Sequence, residues 1–129
     1  MSGTAQDIGV KAEDYTVSLL RSRKMSVKAV GKGLFDLLAD GLRVEVKVAR
    51  KHHTEMRWNV NIHRHNVLNE SSVDVYVVLL DLRCVGKKKP LVLLYKAPLG
   101  CKRLTYSMDS LLTIDHPAIE NWSVLGGKP

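Results

Sequence analysis

An Asp-Gly pair at residues 40–41 joins two apolar-rich runs, Leu34-Phe35-Asp36-Leu37-Leu38-Ala39 and Leu42-Arg43-Val44-Glu45-Val46-Lys47-Val48-Ala49-Arg50. No other feature restricts the fold of this chain as much. Asp-Gly between such runs favours a two-residue β-turn, because both central positions need φ > 0 and these residue types tolerate it. Counting outward from the turn sets the register: Ala39 faces Leu42, Leu37 faces Val44, Asp36 faces Glu45 and Leu34 faces Lys47. Side chains alternate between the faces of a strand, and directly opposed residues share a face. Phe35, Leu37, Leu42, Val44, Val46 and Val48 therefore make one apolar face suited to packing under a helix, and Asp36, Glu45 and Lys47 take the other.

That second face carries two carboxylates opposite each other, their Cβ atoms roughly 5 Å apart. They repel unless something positive lies between them. A divalent cation bound by both would relieve the repulsion, and oxygen donors of this kind suit Mg²⁺ or Mn²⁺, with water and a substrate phosphate completing the shell. A cation held there would stabilise charge on a scissile phosphate and activate a bound water, with Lys47 beside it to orient or deprotonate that water. The competing reading is a solvated strand face on which Lys47 neutralises Glu45 and Asp36.

A length of 129 residues fits a single domain, residues 1–129, with its own core. Lys and Arg outnumber Asp and Glu by 20 to 13, giving a net charge of +7 and a pI near 9.6. Such an excess favours a polyanionic partner through counterion release. Nucleic acid suits it better than a membrane, since no stretch reads as a strongly amphipathic basic helix. Cys84 and Cys101 lack close spacing, and residues 1–7 have neither a charged nor an apolar signal region; a soluble, cytoplasmic protein is the expectation. No apolar run approaches the roughly 20 residues that span a bilayer.

Along the chain, Ile8, Ala12, Tyr15, Leu19 and Leu20 recur at helical spacing over residues 7–24, with Glu13 beside that stripe. Residues 26–31 read as a short strand broken by Gly31-Lys32-Gly33. After the hairpin, Arg50-Lys51-His52-His53 forms a basic cluster suited to phosphates. Trp58, Val60 and Ile62 alternate with polar residues, predicting a strand that leads to a short helix near residues 64–70. His63-x-His65 lacks the cysteines or acidic partner of a zinc site. Residues 73–82 are β-branched and nearly continuously apolar, as in a central strand covered on both faces. Residues 91–95 read as its antiparallel neighbour across a loop holding Lys87-Lys88-Lys89. Over residues 104–112 the pattern predicts a short helix capped by Ser107, and Asp115-His116-Pro117 starts a further turn ending at Trp122.

The order helix, strand, Asp-bearing strand, Glu-x-Lys strand, helix, strand resembles the PD-(D/E)XK nuclease superfamily. The residues that carry the likeness are Asp36, Glu45-Val46-Lys47 after eight intervening residues, and Glu13 within Gly9-x-x-Ala12-Glu13. Phe35 stands where the motif's namesake proline would be. The likeness covers roughly residues 8–82. It implies an α/β, restriction-endonuclease-like fold: a central mixed β-sheet flanked by helices, with an α-β-β-β-α-β core. It also implies Mg²⁺ held by Asp36, Glu45 and the Val46 carbonyl, with Lys47 helping to activate water and Glu13 in support. The small size looks like that of Holliday-junction resolvases, which act as homodimers.

These readings converge on a metal-dependent endodeoxyribonuclease acting on duplex or branched DNA, with Arg50, Lys51 and Arg57 on phosphates and no small-molecule cofactor. The alternatives are a non-catalytic nucleic-acid-binding module on the same fold, and an assembly protein whose charge is incidental.

Overall fold

In a computed structural model of the protein, the residues described are 5–30, 36–51, 54–61, 73–83, 86, 88–97, 99, 103–107 and 118–125, with backbone alone for 5–10. The Asp-Gly turn forms with φ of 48° at Asp40 and 85° at Gly41. It joins β2 (Leu37–Ala39) to β3 (Leu42–Lys51) in the register counted from the sequence, Ala39 against Leu42 and Leu37 against Val44. The turn also anchors what precedes it. Asp40 Oδ1 accepts the Ser26 amide at 2.8 Å, and the Asp40 amide donates to the Ser26 carbonyl at 2.9 Å. This sets β1 (Val27–Ala29) antiparallel to β2.

Helix α1 (Ala5–Ser22) ends two residues earlier than its apolar periodicity suggests. Lys24 adopts φ of 66°, and the Met25 and Lys24 amides turn back to the carbonyls of Leu20 and Arg21. That is the hydrogen-bond pattern of a Schellman cap, normally closed by glycine. The helix lays Ala12, Leu20 and, in part, Tyr15 and Leu19 on the apolar face of the hairpin, where Leu37, Ala39, Val44, Val46 and Val48 meet them. Thr16 is buried there too, with its hydroxyl donating to the Ala12 carbonyl at 2.8 Å.

Strand β5 (Val75–Leu80) runs parallel to β3 and antiparallel to β6 (Leu91–Lys96), so the sheet is mixed. Every residue of β5 is buried. Val75, Val77 and Leu79 face the helix, while Tyr76, Val78 and Leu80 join a second core on the opposite face. This is the two-sided burial that its β-branched run demands. The far end of β3 turns away to pair with β4 (Arg57–Asn61), which pairs with β7 (Arg103–Ser107). Trp58, Val60 and Tyr106 from that ribbon close the second core with Ala49 and Leu93.

Residues 104–107 are therefore strand and not the start of a helix. Ser107 ends β7; the remainder of that expected helix, residues 108–112, lies outside the described residues, as do the expected helix at 64–70 and the Gly31–Gly33 break. The start of the turn expected from residues 115–117 lies outside the described residues; residues 118–121 turn up to Trp122, where a 3-10 turn (Trp122–Leu125) follows, with the Arg23 guanidinium stacked 4.3 Å from the Trp122 ring. Among the described residues no helix is long and apolar enough to cross a membrane.

Candidate active site

The β2–β3 ladder stops at Leu37 against Val44. Beyond it Asp36 is held three ways. Its amide donates to the Val44 carbonyl at 3.0 Å, its carbonyl accepts the Val30 amide at 2.8 Å, and carboxylate Oδ2 accepts the Val46 amide at 2.8 Å. The Asp36 side chain thus replaces a missing strand neighbour. In an extended strand the N–H and C=O of one residue point to the same edge, so the Val46 carbonyl lies on the edge that Asp36 occupies. The opposite edge of β3 is paired with β5 over residues 44–49. Among the described residues, β4 takes up the Asp36 edge of β3 at Arg50 and Lys51, so Asp36 and Val46 lie between the described β2 and β4 pairings.

Glu45 points to the face opposite the helix core, in register with Tyr76, and is about one-fifth exposed. Its carboxyl lies within electrostatic reach of that of Asp36. Burial first, and then the Asp36 charge, push Glu45 up from the ordinary carboxylate range to about 7, against the opposing pull of Lys47. Lys47 Nζ lies 3.3 Å from Glu45 Oε2. Glu13, half-buried on α1, is raised by burial and next by the Asp36 charge. The helix thereby brings a third acid within electrostatic reach of the pair. Lys47 and Glu45 are thus in contact, with Asp36 in electrostatic reach of Glu45, and Glu13 feels the Asp36 charge from α1.

An acid whose proton affinity is raised by burial and by a neighbouring carboxylate marks a site with an unmet demand for positive charge. Lys47 meets it in part. Asp36, Glu45 and the Val46 carbonyl are all hard oxygen donors, the set that Mg²⁺ accepts when it keeps several waters and takes one or two carboxylates from the protein. The donor chemistry therefore fits a divalent cation. Among the described residues no three His, Cys, Asp or Glu side chains already stand in a metal-binding cluster. Glu13 is thus not a ready-made third ligand.

The basic residues at the end of β3 do not form one patch. Lys51 opposes Trp58 and Arg50 opposes Asn59, so alternation sends the two to opposite faces. Arg57 shares the face of Arg50, with its Nε 2.8 Å from the Glu55 carboxylate. His52 and His53 lie outside the described residues.

One residue pair that supports the site has no local signature in the sequence. Arg43 grips Asp74 through its backbone amide at 2.8 Å and its guanidinium at 3.0 and 2.9 Å. The Asp74 amide returns a bond to the Arg43 carbonyl at 2.8 Å. This clamp fixes the start of β5 against β3 and with it the parallel register beside Glu45 and Lys47. The two residues are 31 positions apart, and only the folded pairing reveals them.

A solved structure described as a bacterial homing endonuclease, I-Ssp6803I, matches with a TM-score of 0.74, covering 95% of this chain and 93% of that one. At 15% sequence identity the likeness is one of fold. No protein-family model matches the chain, and no curated protein sequence matches it.

Proposed function

We propose that this protein is a Mg²⁺- or Mn²⁺-dependent endodeoxyribonuclease of the PD-(D/E)XK type. The observation that carries the reading is Lys47 Nζ 3.3 Å from the Glu45 carboxyl on β3, with the Asp36 carboxylate held on the Val46 amide of the same strand, within electrostatic reach of Glu45. The fold it shares with a protein described as a homing endonuclease supports the same reaction class. Asp36, Glu45 and the Val46 carbonyl hold the cation. When bound, it stabilises charge on the scissile phosphate and lowers the pKa of a coordinated water. Asp36 is fixed for this by its bond from the Val46 amide, so no rearrangement of β3 is required.

Lys47, beside Glu45, would hydrogen-bond and orient the attacking water, and Asp36 and Glu45 would hold the cation. Glu13 adds negative charge behind Asp36 and holds outer-shell water. Lys51, on the Glu45 and Lys47 face of β3, contacts a backbone phosphate beside the scissile bond, while Arg50 and Arg57 present charge to the duplex from the other face. Cutting both strands of a duplex needs two such sites, and a homodimer supplies them. An intracellular location goes with a genomic substrate.

The test is incubation of the protein with linear duplex, single-stranded and four-way-junction DNA in Mg²⁺, Mn²⁺ or EDTA. Metal-dependent cleavage is expected, lost in Asp36→Ala and in Lys47→Ala; cleavage that persists in either variant overturns the assignment. One observation favours a second reading, a non-catalytic DNA-binding module. The Lys47 ammonium lies 3.3 Å from the Glu45 carboxyl and offsets part of its charge from within the chain. That reading predicts salt-sensitive binding, no cleavage in either metal, and near-normal binding by Glu45→Ala.

A further inference from the structure

The β4–β7 ribbon has two chemically opposite faces. Inward, Trp58 pairs with Tyr106 and Val60 with Leu104, all packed in the second core. Outward, the cross-strand pairs are Arg57 with Ser107, Asn59 with Thr105 and Asn61 with Arg103. Arg50 continues the same face from β3, since it opposes Asn59. No outward position on these strands is acidic or apolar. The composition is that of side chains able to read base edges: arginine for guanine, asparagine for adenine, and hydroxyls for either.

The outward side chains are also organised. Thr105 Oγ1 donates to Asn59 Oδ1 at 2.9 Å, which directs the amide group of Asn59 and leaves its NH₂ and a second carbonyl lone pair for a ligand. Arg103 Nε donates to Asn61 Oδ1 at 3.3 Å, leaving the terminal guanidinium nitrogens directed outward. Five-residue strands at ~3.3 Å per residue, set ~4.8 Å apart, make a platform about 17 Å long. A two-stranded ribbon of that size enters the ~12 Å major groove of B-DNA. Arg50 stands three residues from Lys47, about 10 Å along β3 and on the other face of that strand, so the platform and the acid pair are joined through one strand.

We infer that the outward face of the β4–β7 ribbon reads base sequence in the major groove of duplex DNA through Asn59, Asn61, Arg103 and Thr105. The inference rests on the endonuclease reading for its choice of DNA as ligand, and it goes beyond phosphate contact to sequence discrimination. The bland alternative is a polar outer face that only keeps a covered ribbon soluble.

The experiment is selection of bound sequences from a randomised 30-bp duplex library by the full-length chain in EDTA, where hydrolysis plays no part. The wild type is expected to enrich a defined sequence and to bind it at least tenfold more tightly than the randomised pool. The double variant Asn59→Ala with Thr105→Ala, and separately Arg103→Ala, are expected to reduce that ratio tenfold or more. The uncharged double variant keeps the salt dependence of pool binding, because it removes no phosphate contact. Lys88→Ala with Lys89→Ala, on the β5–β6 connection, is expected to leave the ratio unchanged. The inference is overturned if the wild type enriches no sequence, or if the ribbon variants, folded by circular dichroism, select the same sequences with the same ratio. Enrichment without metal-dependent plasmid cleavage would refute hydrolysis and leave the groove assignment standing.

Discussion

Replacing Glu45 with glutamine removes the group whose ionisation the fold resists most. Its carboxyl titrates at about 7 in the native protein against 4.5 in the unfolded chain. Below about pH 4.5 it is protonated in both states. As pH rises from there to about 7 the unfolded chain releases its proton while the native site keeps it, so native stability falls across that window and levels off above it. The full gap corresponds to a ceiling of ~3 kcal/mol. Lys47 loses its carboxylate partner in the variant, which offsets part of the gain.

Glu45→Gln is therefore expected to be more stable than the wild type by about 1–2 kcal/mol at pH 8 in EDTA, a Tm rise of roughly 3–8 °C, and to converge with it by pH 5. Adding 10 mM Mg²⁺ should raise the wild-type Tm at pH 8 and leave the variant's unchanged. Thermal unfolding followed by circular dichroism from pH 5 to 8.5 decides it. Stability curves that run parallel across that range would show that Glu45 is not held against its charge, and the acid-pair reasoning would fail.

Three further outcomes follow from the same geometry. Lys47→Ala should lower single-turnover DNA cleavage at least ~100-fold while DNA binding in EDTA changes little, since the loss of a residue acting on the attacking water falls on the chemical step; a loss of affinity with an intact rate would contradict the role given it. Asp74, held below the usual carboxylate range by the Arg43 guanidinium, contributes stability that is present at neutral pH and lost as pH falls through its depressed native value. Asp74→Asn should thus lower Tm at pH 7 and match the wild type in strong acid, and an unchanged Tm at pH 7 would remove the clamp. Lys24→Gly, at a left-handed helix cap, should stabilise the protein by about 1 kcal/mol in urea unfolding, and destabilisation would refute the cap.

Much of the site was legible because the turn fixes it. Once Asp40 and Gly41 take φ > 0, the positions of Leu37, Val44, Glu45 and Lys47 follow by counting, and the structure keeps that count. The buried character of β5 was equally plain, since six apolar residues in a row leave neither face for water. What counting could not supply was the departure of Asp36 from the ladder, where its carboxylate binds the Val46 amide instead of lying flat against Glu45. Nor could it supply the Arg43–Asp74 clamp, which joins residues distant in sequence.

The β7 strand was obscured by Ser107, a residue that suits a helix cap as well as a strand end, although Leu104 and Tyr106 alternate with polar neighbours. The basic run at Arg50 and Lys51 looked like one patch because composition ignores alternation. The two side chains part to opposite faces, and only Arg50 joins the ribbon surface.

The central claim is that Asp36 and Glu45 hold a divalent cation for phosphodiester hydrolysis beside Lys47. Its most direct test is the rate of supercoiled-plasmid cleavage as a function of Mn²⁺ concentration for wild type and Asp36→Ala. A saturable rise in the wild type that is absent from the variant is the predicted result; equal cleavage by both, or none by the wild type at any Mn²⁺ concentration, would contradict it.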